Sequence, residues 1–273
     1  FTVNGTPFVT RKVEFEGVNA QEAMDRFCAL VRTVLQLADR PVYGIGVAVP
    51  GPFNMETERI SLMSGFPGWE DIDIRKRLEQ ESKLRVHLEH DANCGAMAEL
   101  WYGNHAPDAS ILFVLSDQGV GAGSIAHGEV YHGALGYSGE IGHASINFMG
   151  PICECGNRGC IELYASTLTM RQTYLAERLR TDASHNEDIT TDDFLELSRR
   201  NDPIARPIYE RAVSQLAFGL VGFVNTLNPN AVILADPITN CGEPFLPILP
   251  EVFLKYLLPL IPDLLPLEFC RLH

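Results

Sequence analysis

The sequence is short of positive charge. Twenty-one lysines and arginines stand against thirty-five aspartates and glutamates, a formal net charge of −14 over 273 residues. A surface of that sign repels phosphodiester backbones, so these residues are not expected to bind DNA themselves. Long apolar runs are missing too. No stretch reaches the roughly 18 residues that a membrane-spanning helix needs, and no basic-then-apolar leader opens the sequence. Cysteine is scarce and unevenly placed: there are seven, an odd number, three of them within eight residues. A secreted disulfide scaffold would be shorter, with an even and dispersed set. A reducing, cytoplasmic location with a metal site suits the pattern better. Internal repeats and low-complexity tracts are also absent. What is present, 46% hydrophobic and 21% charged residues, supports a sizeable core and one or two α/β domains.

Apolar periodicity switches between strand and helix along the chain. Phe1–Glu16 reads as a hairpin turning at Asn4-Gly5. The chain begins in this strand-like sequence, without methionine, and is expected to be part of something longer. Asn19 and Glu22 have capping-box spacing before a helix whose apolar face includes Ala23, Phe27, Leu30 and Val31. Tyr43–Val49 is a buried strand ended by Pro50-Gly51-Pro52. Helix is expected over Asp71–Lys83, strand over Leu84–Leu88, and helix over Ala92–Tyr102. Ser110–Leu115 is a strand, Gln118–Gly123 a glycine turn, and Ser124–Ala126 a return strand. Further helices are expected at Thr167–Arg180, Thr191–Arg199, Pro203–Leu227 and Phe245–Tyr256, with a strand at Ala231–Ala235. Strands alternating with helices predict an α/β fold with a largely parallel sheet. In such sheets ligand residues sit at the carboxyl ends of strands, where Pro50-Gly51 and His90-Asp91 fall. The boundary is placed in the loop Gly103–Ala109, giving lobes of residues 1–108 and 109–273.

The segment Cys153-Glu-Cys155-Gly-Asn-Arg-Gly-Cys160 is a compact knuckle. Three thiolates this close, with glycines for turning, can face one point, and zinc takes four such ligands in a tetrahedron. A fourth would come from His143, with His127 and His132 as alternatives. Four protein ligands leave no open position, so the zinc is expected to be structural. Buried free thiols are the blander possibility, and a redox pair fits less well because the spacing is not C-x-x-C.

Gly139-Glu140-Ile141-Gly142-His143, followed by the cysteine knuckle and Glu162, resembles the signature of the ROK family of repressors, open reading frames and sugar kinases. Gly46–Gly51, Glu89–Asn93, Gly119–Gly123 and Asn228–Leu234 are similar to further family segments in the same order. The resemblance covers roughly Val42 to Ala235. It implies an actin-like ATPase (ribonuclease H-like) fold, with two α/β lobes flanking a sugar cleft and a zinc knuckle over residues 143–160. By the same resemblance Asp91 is the base that takes a sugar hydroxyl proton. Gly51, His90, Asp91, Glu140, His143 and Glu162 are sugar-binding, and Gly119, Gly121 and Gly123 are a phosphate-loop remnant. His143, Cys153, Cys155 and Cys160 hold the zinc, so that His143 serves metal and sugar at once. Taken singly, Asp91 could be a helix cap, Glu140 a solvated loop residue and Glu162 a helix-end residue.

Kinases of the family bind ATP with Mg²⁺ in glycine-rich loops. This sequence shows no Asp-x-Gly-Gly-Thr loop, has Asp117 in its second loop, and has Asp236-Pro237 where a Gly-Gly pair is usual. Its His90-Asp91 pair resembles the glucose- and aminosugar-responsive repressors. The expected function is therefore the sugar-binding effector domain of a transcriptional regulator. Its DNA-binding domain would lie before Phe1, and it would assemble as a homodimer or homotetramer. The alternative is an ATP-dependent kinase of a hexose or aminosugar. The family's usual sugar-contacting asparagine is missing from Ser64–Trp69, so the resemblance departs from the family's hydroxyl-reading pattern there.

Overall fold

The computed structural model describes residues 2, 6, 7, 9–15, 18–51, 53, 54, 56–60, 68–181, 188–235, 248–261 and 265–270. Of the expected N-terminal hairpin, Asn4-Gly5 lies outside the described residues. The described part from Thr2 to Phe15 forms no strand.

Two compact units emerge: Phe1–Cys94 with His132–Tyr137, and Gly95–Tyr131 with Ser138–His273. The first begins with helix α1 (Ala20–Leu37), whose N-cap Asn19 accepts the Glu22 N–H at 2.9 Å. Glu22 does not close a full capping box; its carboxylate takes Arg26 instead, at 2.9 Å. Strand β1 (Gly44–Val49) is followed by the short hairpin β2 (Phe53–Asn54) and β3 (Arg59–Ile60). Helix α2 (Ile74–Ser82) is capped by Asp73, which accepts the Lys76 N–H at 2.9 Å, and ends at Lys83 in the left-handed region. Strand β4 (Arg85–His90) pairs in parallel with β1, placing Val49 opposite His90. Met24, Trp69, Leu78 and Leu88 are central to the core of this unit.

Helix α3 (Asp91–Tyr102) follows β4 without a break. The boundary expected at Gly103–Ala109 falls, by this division, inside the second unit. The physical reason is in α3: Ala96 and Leu100 share an apolar cluster with Ile111 and Phe113. At Gly95, a Cβ would meet the Phe113 ring at 2.3 Å.

The second unit is built on a five-stranded sheet of β5 (Ile111–Ser116), β6 (Val120–Ala126), β7 (Glu129–Val130), β8 (Ala231–Leu234) and β9 (Leu267–Phe269), in the order β7-β6-β5-β8-β9. Pairs β5–β6 and β6–β7 are antiparallel, while β5–β8 and β8–β9 are parallel. The expected glycine turn is shorter than Gln118–Gly123. The Asp117 N–H closes onto the Gly119 carbonyl at 2.9 Å. Gly121 and Gly123 are therefore strand residues, opposite Leu115 and Phe113. The helices of this unit are α4 (Glu162–Ala165), α5 (Thr167–Thr181), α6 (Thr191–Arg199), α7 (Ala205–Leu227) and α8 (Ile248–Tyr256). Helix α7 buries Tyr209, Ala212, Val213, Leu216, Leu220 and Val224, the i, i+3, i+4 stripe of a core helix. Asn228, at φ 43, ends it in the left-handed conformation, followed by Pro229. No described helix is long and apolar enough to cross a membrane.

Candidate functional site

In the first unit the carboxyl ends of β1 and β4 lie side by side, since Val49 and His90 are register partners. Gly51, at φ 74, leaves one strand, and Asp91 opens the helix that follows the other. Asp91 accepts the Ala92 N–H at 2.7 Å and lies 3.5 Å from His90 Nε2. A carboxylate at a helix N-terminus is favoured by the macrodipole. His90 is buried. Burial pushes its pKa down, while Asp91 and Glu89 pull the other way without prevailing.

Glu89, for which the sequence suggests no role of its own, is engaged through both carboxylate oxygens. One oxygen accepts the His90 N–H at 2.8 Å and Asn93 Nδ2 at 3.0 Å, and the other meets His132 Nε2 at 2.8 Å. Burial raises its pKa, but the bonds from Asn93, His132 and the His90 N–H outweigh it and hold the carboxyl below the usual range. The i, i+4 spacing of Glu89 and Asn93 was the only signal in the sequence. The partnership with His132 joins residues 43 apart in the chain.

In the second unit, three of the expected sugar-reading residues are anchored on the start of β6. Gly139 gives its carbonyl to the Ala122 N–H at 2.8 Å. A Cβ there would lie 1.9 Å from the Ala122 carbonyl oxygen, and one at Gly142 would lie 2.1 Å from that of Val120. Only glycine permits this approach, and between the two glycines stands Glu140. Its carboxylate is 4.0 Å from His143 Nε2. Glu162, at the start of α4, accepts the Val120 N–H at 3.1 Å. The turn Asp117–Gly119 is tied down as well. Thr167 donates its N–H to the Asp117 carbonyl at 2.8 Å and its hydroxyl to the Asp117 carboxylate at 3.2 Å. Of the three glycines expected as a phosphate-loop remnant, only Gly119 is in a turn, and a Cβ on it would meet Glu162 Oε2 at 2.7 Å.

His143, Cys153, Cys155 and Cys160 form a candidate metal-binding group, their ligand atoms all within 4.8 Å of one another. Cys153 Sγ is 3.8 Å from His143 Nδ1, and Cys155 Sγ is 3.7 Å from Cys160 Sγ. A tetrahedron with metal–sulfur bonds of about 2.3 Å has edges of about 3.8 Å, and the two pairs above are near that length, within a group that spans up to 4.8 Å. The turns that place them depend on Gly156 (φ 89) and Gly159 (φ 63). Asn157 stitches the group together: its carbonyl accepts the Cys153 N–H at 2.8 Å, and its amide donates to the His143 carbonyl at 3.1 Å. Burial, together with its two thiol neighbours, pushes Cys160 up to about 12. Three thiols and an imidazole packed this closely could hold a metal ion. His143 meets the thiols with Nδ1 and Glu140 with Nε2. The alternative histidines are elsewhere: His132 is on Glu89, and His127 is in the β6–β7 turn at φ 52.

A cavity of about 360 Å³ in the first unit is lined by apolar groups including Phe15, Phe27, Val47, Val49 and Trp69. Sugar hydroxyls would find no partners on those side chains, and none of the acidic residues above lines it. Asp236-Pro237, expected on the nucleotide side, and Ser64–Pro67 lie outside the described residues.

The chain is 33% identical over 207 residues to the xylose repressor of Bacillus subtilis, covering 75% of this chain and 51% of the repressor. It is 30% identical over 228 residues to the glucokinase of Halalkalibacterium halodurans, covering 81% and 69%. The chain thus spans about half the length of the repressors it matches. Among solved structures, the ROK hexokinase from Thermus thermophilus superposes with a TM-score of 0.74 at 26% identity, covering 95% of this chain and 84% of that one. The sequence profile of the ROK family matches residues 7–262, and the chain belongs to the ROK family.

Proposed function

We propose that these residues are the sugar-binding effector part of a sugar-responsive ROK transcriptional regulator, with an actin-like ATPase fold and DNA contacts made by residues outside this sequence. Sugars present fans of hydroxyls that both donate and accept, and carboxylates take such donors in charge-assisted bonds. In the first unit, Gly51, His90 and Asp91 are the proposed readers; in the second, Glu140, His143 and Glu162. Structural zinc on His143 Nδ1, Cys153, Cys155 and Cys160 would set the ring so that Nε2 faces the sugar side beside Glu140. Such support of a ligand by its outer partners is common at metal sites. The protein is proposed to act as a homodimer or homotetramer.

The observation that carries the regulator reading is the β5–β6 turn. Phosphoryl transfer needs backbone N–H groups and cations around the phosphates. Here the turn presents the Asp117 carboxylate, and the Val120 N–H is already taken by Glu162. Two carboxylates repel a phosphate chain. The alternative, a sugar kinase using ATP and Mg²⁺, is favoured by the likeness to glucokinase and hexokinase relatives. Titrating the purified protein with a panel of hexoses, pentoses and aminosugars, beside a coupled ADP-release assay, separates the two. Binding without turnover is the expected result. ADP release dependent on one sugar would replace the regulator reading with the kinase one, and no binding at all would remove both.

A further inference from the structure

We propose that Glu89 and His132 act together as positioning residues for the sugar-reading pair His90 and Asp91, an inference that rests on the sugar-binding reading above. Neither has been assigned a role so far, and His132 was set aside as a zinc ligand. Glu89 is 5% exposed and cannot itself reach a ligand in solvent. What it does reach is one backbone group and one side chain, on either side of Asp91. Through one oxygen it holds the His90 N–H just before Asp91 and the Asn93 side chain just after it. This carboxylate therefore spans the junction of β4 and α3 and fixes the direction in which Asp91 leaves the strand. The other oxygen is paired with His132 at 2.8 Å.

His132 begins the stretch His132–Tyr137, which belongs to the first unit although the chain on either side of it does not. The far end of that stretch is held as well, by Asn54 Nδ2 donating to the Tyr137 hydroxyl at 3.0 Å. A buried carboxylate is costly unless its oxygens are bonded. The His132 ring is the partner of the oxygen that bonds neither the His90 N–H nor Asn93. Removing it leaves a buried charge with one side bare, and the cheapest relief is rotation of Glu89. That rotation releases the His90 N–H and Asn93 together. The consequence is read at Asp91, although His132 touches neither Asp91 nor, in this proposal, the sugar.

The test uses the whole chain and four variants: Glu89→Gln, His132→Gln, the double variant, and His132→Arg, whose guanidinium can still donate to Glu89. Affinity for the sugars bound by the unaltered protein is measured by calorimetry, alongside unfolding temperature. Each glutamine variant should weaken binding about tenfold, the scale of one lost charge-assisted bond. The double variant should be no weaker than the weaker single one, and His132→Arg should recover most of the loss. A role in stability alone would lower the unfolding temperature and leave the affinity of the folded protein, and its rescue by arginine, unaffected. If Glu89→Gln does not fold, the two His132 variants carry the test, since that side chain is about a third exposed. Wild-type affinity in the variants overturns the proposal alone, as do losses that multiply in the double variant. Failure of the unaltered protein to bind any sugar removes the functional reading, and this inference with it.

Discussion

On the proposed reading, Asp91 carries two roles on one side chain. Its carboxylate opens α3 and accepts the Ala92 N–H at 2.7 Å, yet it also stands at the carboxyl end of β4 beside His90. A helix-end residue and a hydroxyl reader make different demands, and Asp91→Asn separates them. Asparagine serves a helix start about as well as aspartate but lacks the charge. Stability should therefore stay within about 0.5 kcal/mol, while sugar affinity falls tenfold or more, the charge-assisted bond being about 1.5–3 kcal/mol. Calorimetric titration together with urea unfolding checks both halves. Unchanged affinity would leave Asp91 as a helix-end residue only. The residue was legible in the sequence because a carboxylate directly after an apolar strand and directly before a helix has few places to point. Glu89, two positions earlier, was not, because its role depends on a histidine that the fold brings to it.

Helices and strands were the more readable layer. The six-residue strand β1 and the long helix α7 follow from apolar spacing, and Asn228-Pro229 marks where α7 stops. Helix α6 carries a feature the spacing did not reveal. Thr190 accepts the Asp193 N–H at 3.1 Å and gives its own N–H to the Asp193 carboxylate at 2.9 Å, a complete capping box with aspartate in place of the usual glutamate. Thr190→Ala should cost about 1 kcal/mol, seen as a lower urea midpoint with an unchanged slope. The expected Asn19–Glu22 box is only half made, because Arg26, one turn on, competes for the Glu22 carboxylate. The glycines after Ser116 were misjudged as one long turn. Glycine allows turns, but it also allows the close approach of a neighbouring backbone, as where Gly139 meets Ala122 on β6.

Two predictions belong to the molecule as a whole. Cys155→Ser should lower bound zinc, measured by elemental analysis, and weaken sugar binding in the same preparation, since the proposed function gives His143 both roles. Loss of metal with full sugar affinity would uncouple them. Acid sensitivity is the second. His90 is held neutral by burial, so its pKa lies below the ordinary 6.5. The unfolded chain takes up that proton first, and stability falls as pH drops below about 6.5. Glu89, held below its ordinary 4.5, contributes stability that is complete above that value and is lost as pH falls through the folded one. Unfolding temperature should therefore decline in two stages on acidification. Glu89→Gln should flatten the lower stage and, by removing one of the charges that pull His90 upward, extend the upper stage to lower pH; identical profiles in both proteins would contradict the assignment.

The sequence by itself determined the α/β alternation, the candidate metal-binding group and the family, because each is written in local spacing: apolar period, three thiols in eight residues, glycines flanking Glu140. Tertiary structure alone decided where the units divide and that Glu89 and His132 meet. Spacing along a chain limits what near neighbours can do. It says nothing of which distant side chain arrives to satisfy a buried charge.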